Sequence, residues 1–392
     1  MKTLQGLTVV TFEHAISAPF CTRHLADLGA RVIKVERPNG GDFARNYDTR
    51  VRGLASHFVW VNRSKESFTL DIKHPQGAAV LKSLISKADV VVQNLAPGAA
   101  ARMGISWQAL SPVYPALTVC DISGYGADGP YRDKKAYDLL IQSEAGHVAI
   151  TGTPEEPAKS GASIADIASG MYAYSQVLAA LLRRHVTGRG SHIEVSMLEA
   201  MTEWTSYALY YTYDGAPPPL RAGASHAAIY PYGPFTSGDG VTVILAVQNE
   251  REWEAFCRSV LYRPDLLEDA SFEGNASRVA ARHRLKDVIE EIFRSLSGPQ
   301  LIDRLDAAGI ANARMNDMQG VWDHPQLEAR KRWTEIGSPV GPLHALLPPG
   351  MNREDDPVMG DVPALGQHTD AILDELGFTR SDIRALRDTG VV

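Results

Sequence analysis

Over the first 150 residues, short apolar runs alternate with stretches whose apolar positions recur every three or four residues. "LTVVTF" (7–12) has the length and branched content of a buried strand, "PFCTRHLADLG" (19–29) has helical spacing and stops at Gly29, and "RVIKVE" (31–36) reads as a second strand. The alternation continues with a helix over 75–87, a strand in "ADVVVQNL" (88–95), a short helix over 106–111 and a strand in "ALTVCDI" (116–122). Strands alternating with helices at this spacing predict an α/β fold built on a parallel sheet with crossover helices.

Farther along, Tyr174, Val177, Leu178, Leu181 and Leu182 form one apolar stripe. They predict a helix that starts near 164–167 and stops at Gly188, with Arg183, Arg184 and His185 at its negative end. A second helical stretch covers 194–213. The Pro/Gly-rich segment 214–235 then breaks the pattern, and serves equally as a plain linker or an active-site loop. A strand follows at 241–247, helices run to about residue 330, 338–357 is extended, and the end carries two short helices. The expected organisation is a large α/β domain begun by 1–213, the loop 214–235, a smaller α+β domain over 236–320, and a segment 321–392 returning to the large domain.

Composition narrows the class. The 392 residues are 44% hydrophobic and 22% charged, with a net charge of -7 that disfavours nucleic acid as the main partner. No apolar run approaches the roughly 20 residues that span a bilayer, and "MKTLQGLTVVTF" lacks the pattern of a signal peptide. Cys21, Cys120 and Cys257 are far apart and odd in number, as in reduced cytoplasmic proteins without a disulfide frame or structural metal. "EHAISAPF" after the first strand contains no GxGxxG, which argues against a nicotinamide dehydrogenase.

Asp166 lies among Ala, Ile, Ser and Gly at the start of the long helix. Two roles suit that position. It is an N-cap whose oxygen accepts a backbone N–H, or a nucleophilic carboxylate kept ionised by the helix dipole, with small neighbours leaving room for a substrate.

Nine segments in register bear on that choice: "LADLGARVIKVERPNGGDFAR" (25–45), "NRSKESFTLDIK" (62–73), "DVVVQNLAPGAAARMG" (89–104), "ISGYGADGP" (122–130), "KAYDLLIQSEAG" (135–146), "TGTPEEP" (151–157), "GASIADIASGMYAYSQVLAALLRRHVTGRG" (161–190), "IEVSMLEA" (193–200) and "LGQHTDAILDELG" (365–377). Together they resemble the family III CoA-transferases, the group that includes formyl-CoA:oxalate and carnitine CoA-transferases. The resemblance implies a Rossmann-like large domain, a smaller domain and an interlocked homodimer. It implies CoA and acyl-CoA as substrates with no permanently bound cofactor, and makes Asp166 the covalent nucleophile.

The same resemblance assigns Arg37, Lys73, Arg102 and Lys135 to the charged groups of CoA. Leu70, Asn94, Leu95 and Met103 would line its nucleotide, with His14 and Ala15 at the thioester end and Tyr137 in the cofactor-binding set. Ile16 stands where the formyl-CoA members carry Gln, and their glycine-run lid is absent, so formyl and oxalate are not the expected acids. "RAGASHA" (221–227) is a place for a lid or, equally, part of a linker. For the acceptor, Arg45, Arg50, Arg52, Arg221 and His226 could hold the unreacted carboxylate of a C4–C5 dicarboxylate, because arginine binds carboxylates bidentately; the alternative is that these arginines form surface ion pairs.

Two rival functions share the ground. α-Methylacyl-CoA racemases resemble this chain too, but use a His from a "GHD" stretch as one of two bases; here the residues are Ala136, Tyr137 and Asp138, and a phenol is a poor base at neutral pH. A CoA-binding scaffold without chemistry would be marked by loss of the nucleophile, and Asp166 is present.

Overall fold

The computed structural model describes residues 2–351 and 356–392. Six strands form one parallel sheet: β1 (Thr8–Phe12), β2 (Arg31–Glu36), β3 (Lys65–Thr69), β4 (Val90–Gln93), β5 (Thr118–Ser123) and β6 (His192–Ser196), in the order β3-β2-β1-β4-β5-β6. Val9 of β1 sits opposite Val32 of β2 on one side and Val90 of β4 on the other. The chain winds outward from β1 through β2 to β3, then returns to place β4 on the other side of β1. The order therefore reverses between β1 and β4, and in open α/β sheets the crevice at such a reversal is where ligands bind.

Helices cover both faces. The first helix, Ser17–Asp27, and the long helix, Ile164–Thr187, pack together over one apolar layer that includes Val9, Leu25, Val92, Ala173 and Val177. The helix Pro75–Ile85 and the C-terminal helices Thr369–Glu375 and Arg380–Asp388 close the other layer, with Ile33, Phe68, Leu84 and Leu373 at its centre. Gly170 permits the close approach on the first face: a Cβ there would lie 2.6 Å from the Ser17 carbonyl oxygen and 3.2 Å from the Phe20 ring.

Two strands of the parallel sheet depart from the reading of the sequence, and in the smaller sheet a strand over Ala311–Arg314 stands where only helices were expected. β3 escapes it because its buried positions include Lys65 and Ser67, which are enclosed by charge pairing and hydrogen bonding instead of by apolar packing. The stretch 194–213 is not one helix: β6 occupies its beginning, and the Ser196 hydroxyl then accepts the Glu199 N–H to cap the helix Met197–Trp204.

The chain divides into two compact units, one of residues 1–146, 160–206 and 326–392, the other of 147–159 and 207–325. Both 147–159 and 207–213 thus belong with the second unit. That unit holds the antiparallel sheet β7 (Tyr232–Thr236), β8 (Thr242–Ala246) and β9 (Ala311–Arg314). The segment 214–235 is accordingly not all loop, since β7 begins inside it. A hairpin, β10 (Trp333–Ile336) and β11 (Leu343–Leu346), opens the returning segment. The extended stretch expected over 338–357 includes residues 352–355, which lie outside the described residues. No helix among the described residues is long and apolar enough to cross a membrane.

Candidate active site

The long helix begins with Ser163 as its flanking residue, and the Ser163 side chain makes no capping hydrogen bond. Asp166 is the third helical residue, not the cap. Capping comes from another element: Asp138, at the start of the helix Asp138–Glu144, accepts the N–H of Ala165 at 2.9 Å and of Asp166 at 3.3 Å on Oδ1. Its Oδ2 accepts the Gln142 side-chain amide at 2.6 Å. Two of the helix's orphan donors are satisfied in this way by a tertiary partner.

The Asp166 carboxylate is left without a hydrogen bond or ion pair among the described residues, and it is half-buried. Burial, and then the nearby Asp138 carboxylate, push its pKa up to about 7. The expectation that the helix dipole keeps this group ionised is therefore corrected: desolvation and a like charge raise its pKa. The group titrates in the neutral range, where a modest change in its surroundings switches it between acid and nucleophile.

The first helix brings a second segment alongside. Ser17 Oγ lies 2.7 Å from Ser169 Oγ, one turn after Asp166, while Ala15 packs in the same apolar cluster as Ile167 and Met171. Residues 14–17 leave the end of β1 at the sheet's reversal point. Ala15 has φ 59, the left-handed region that L residues avoid. Asn94, from the end of β4, holds this turn from both sides: Oδ1 accepts the His14 N–H and Nδ2 donates to the His14 carbonyl, each at 2.9 Å. Tyr47 also belongs to these surroundings. Its phenol is pushed up to about 12 by burial and by the charges of Asp42, Asp166 and Tyr137.

The residues expected to meet CoA all follow the carboxyl ends of parallel strands: His14 and Ala15 after β1, Arg37 after β2, Leu70 and Lys73 after β3, Asn94, Leu95, Arg102 and Met103 after β4, and Lys135 and Tyr137 after β5. Arg37, Lys73, Arg102 and Lys135 are exposed and form no salt bridge among the described residues; Arg37 donates to the Gly41 carbonyl. Leu70 differs. Its side chain is buried with Phe68 and Leu84, so it can offer a nucleotide only its main chain.

The proposed acid-binding arginines separate sharply. Arg45 is not free for substrate: Nε and Nη2 clasp both oxygens of the buried Glu36 at 2.8 and 2.7 Å, and its guanidinium lies 3.8 Å from the Phe58 ring centre. Arg52 donates to the Pro342 carbonyl. In the second unit, Arg221 spends its donors on the carbonyls of Thr153, Ala149 and Pro154, and His226 stacks on Tyr232 while its Nδ1 accepts the Ala228 N–H. Arg50 is exposed, and among the described residues its guanidinium has no partner.

Asp138 was present in the sequence only as part of "AYD", and Asp42 only inside "GGDFAR". An acidic residue opening a helical pattern is a readable signal for Asp138. That it caps a different helix is not readable, because the partner lies 27 residues away.

The Asp166 carboxylate, with no partner among the described residues and beside the segment that leaves β1 at the sheet's reversal point, is suited to covalent acyl transfer, and comparison with known proteins agrees. The chain matches CoA-transferase family III over residues 4–369 and belongs to that family. It is 31% identical over 400 residues to the succinyl-CoA:glutarate CoA-transferase of Homo sapiens, covering 100% of this chain and 90% of that one. It is 32% identical over 354 residues to the acetyl-CoA:oxalate CoA-transferase of Acetobacter aceti, covering 90% of each. A CaiB/BaiF family protein of Brucella suis superposes with TM-score 0.84 at 31% identity, covering 96% of this chain and 99% of that one. This protein is a family III CoA-transferase.

Proposed function

We propose that the protein moves CoA from an acyl-CoA such as succinyl-CoA to a small dicarboxylic acid through a thioester on Asp166. The observation that carries this reading is the unpartnered Asp166 carboxylate, which is released from capping by Asp138. An Asp166 oxygen attacks the donor thioester carbon; the C–S bond breaks, giving a mixed anhydride and CoA thiolate. The thiolate attacks the aspartyl carbonyl, which releases the donor acid and leaves aspartyl-CoA. The acceptor carboxylate attacks that thioester, and the returning thiolate takes the acyl group from the second anhydride and restores Asp166. Covalent catalysis here divides one difficult exchange into four acyl transfers.

Arg37, Lys73, Arg102 and Lys135 would meet the phosphates, while Leu95, Met103 and the Leu70 main chain would flank the nucleotide. Arg50 is the arginine left to hold the acceptor's distant carboxylate, since Arg45, Arg52 and Arg221 are engaged elsewhere. Relatives named for glutarate and oxalate support a dicarboxylate, and they also make chain length the deciding variable. By the same family resemblance the protein works in the cytoplasm as an interlocked homodimer.

The test is incubation with succinyl-CoA followed by hydroxylamine, then peptide mass spectrometry. Modification is expected on the peptide containing Asp166, with turnover lost by at least about four powers of ten in Asp166→Ala. A folded Asp166→Ala protein with near-normal transfer would sink the mechanism. Acceptors assayed beside succinate should include glutarate, mesaconate, oxalate and butyrate; butyrate equal to the diacids would end the dicarboxylate reading. Uptake of α-deuterium from D₂O by (R)-2-methylacyl-CoA without any acid would point to the racemase chemistry instead.

A further inference from the structure

A buried chain of charges runs under the residues 14–15 turn, and the transfer reaction as described makes no use of it. Lys65 Nζ donates to Glu13 Oε1 at 2.6 Å, Lys34 Nζ lies 3.3 Å from the same oxygen, and Lys34 Nζ also donates to Asp42 Oδ2 at 2.8 Å. The side chains of Glu13, Lys34, Lys65 and Asp42 are all fully enclosed. So many desolvated charges, two of each sign, are costly to bring together, and replacing such sets with apolar groups is often neutral for stability. What such a set can do that apolar residues could not is hold a hydrogen-bond acceptor in a fixed place.

That acceptor stands at the end of the chain of charges. Asp42 Oδ1 accepts the Ala15 N–H at 3.2 Å and the Ala44 N–H at 2.9 Å, and it lies 3.7 Å from His14 Nδ1. That His14 nitrogen is buried and has no hydrogen-bond partner among the described residues. The neighbouring Phe43 ring stacks on the imidazole with centroids 5.2 Å apart. The Asp42–Phe43 pair therefore holds Ala15 at its backbone N–H and His14 on its ring face, with the Asp42 carboxylate close to the ring edge. The grip falls on the one turn residue, Ala15, that holds a left-handed conformation. Without an acceptor for its N–H, an L residue would leave that region for the extended or right-handed one.

We propose that Asp42 is a positioning residue for CoA transfer: anchored by Lys34, it locks the left-handed turn at Ala15 and the orientation of His14, so that this segment is already in place beside Asp166 when the thioester arrives. The proposal rests on the family's transfer reaction and on the site at Asp166, and it concerns the chemical step more than binding. A preorganised turn lowers the reorganisation needed at the moment of reaction and leaves ground-state affinity nearly unchanged.

The experiment compares Asp42→Ala with the double variant Asp42→Ala/Ala15→Gly, with Ala15→Gly alone as the reference, in succinyl-CoA-dependent transfer. Asp42→Ala is expected to lower kcat by about 100-fold while KM for acyl-CoA moves less than about threefold. Glycine adopts the left-handed region without penalty, so Ala15→Gly should restore at least about tenfold in the Asp42→Ala background. A folded Asp42→Ala protein with kcat near the unmodified value overturns the proposal. So does a loss that appears in KM, or a loss that Ala15→Gly leaves unrepaired, because a general structural role would not respond to the conformational freedom of residue 15. If Asp42→Ala does not fold, Asp42→Asn takes its place. Asparagine still offers an oxygen to the Ala15 N–H, so kcat should fall about tenfold and return with Ala15→Gly; no return overturns the proposal. Hydroxylamine trapping on the unmodified protein is a separate arm: its failure would remove the Asp166 intermediate, whereas the rescue pattern reports on the turn whatever the intermediate.

Discussion

Glu13 and Asp166 flank residues 14–17 from two different elements. Glu13 immediately precedes the turn at residues 14–15, and Asp166 lies in the first turn of the helix that Ser169 joins to Ser17. Burial pushes both carboxyl groups toward the neutral acid, yet they end on opposite sides of the ordinary carboxylate range. At Glu13 burial is overcome by the Lys65 and Lys34 ammonium groups and by the Lys65 and Thr22 hydrogen bonds, and the pKa falls to about 2. At Asp166 burial is reinforced by Asp138, no cation answers it, and the pKa rises to about 7. Desolvation is common to both; the sign of the neighbour decides. One carboxylate becomes a permanent anion that serves as a strut, and the other becomes a group able to react.

The sharpest way to break the comparison is to remove the cation from the strut. Lys65→Met leaves Glu13 enclosed with Lys34 alone, and should destabilise the protein by about 3–5 kcal/mol in urea unfolding at pH 7. A loss below about 1 kcal/mol would show that Lys65 does not sustain the Glu13 charge. The stability that ionised Glu13 contributes is present above its unfolded value of about 4.5 and is lost as pH falls toward 2, so the two proteins should converge in acid.

Asp166 should respond in the opposite direction. Its folded pKa lies above its unfolded one, so ionising it costs stability, and the cost grows as pH rises from 3.8 through about 7. At about 1.4 kcal/mol per pKa unit the upper bound is about 4 kcal/mol. Asp166→Asn should therefore unfold at higher urea than the unmodified protein at pH 8, by about 2–4 kcal/mol, with no gain at pH 4. Purity must be checked, since deamidation restores the acid. Equal stability at pH 8 would mean that the carboxylate finds a partner in solution.

The smallest effect tests the like charge alone. Transfer in the unmodified enzyme should rise with pH through about 7, as Asp166 loses its proton and becomes the nucleophile. Asp138→Asn keeps an acceptor for the Ala165 and Asp166 N–H groups but removes the negative charge. The acid limb of the kcat/KM profile should then move down by about one pH unit. An unmoved limb would assign the whole rise to burial.

What could be read from the sequence follows from where burial and apolarity coincide. β1, β2, β4 and β5 are short branched apolar runs, and each appeared where the pattern put it. β3 did not, because Lys65 and Ser67 face inward, and a buried lysine reads as surface until its Glu13 partner is seen. Among the candidate arginines the sequence offered equal members, and the structure sorted them by partners: Glu36 claims Arg45 and loop carbonyls claim Arg52 and Arg221. The role of Asp166 as an N-cap or as a free carboxylate was open for the same reason, since the answer depended on what Asp138 was doing.

The sequence by itself determined the parallel sheet, the long helix with Asp166 in its first turn, and the family, because periodicity and motif spacing are local properties carried in order along the chain. The tertiary structure alone decided which charges are spent and which remain available. That decision is electrostatic and depends on distance: Asp42 stands 27 residues from Ala15 and Asp138 stands 27 from Ala165, yet each is within a hydrogen bond of its target. A carboxylate's pKa and its freedom to react are set by those contacts and by desolvation, and neither exists until the chain has folded.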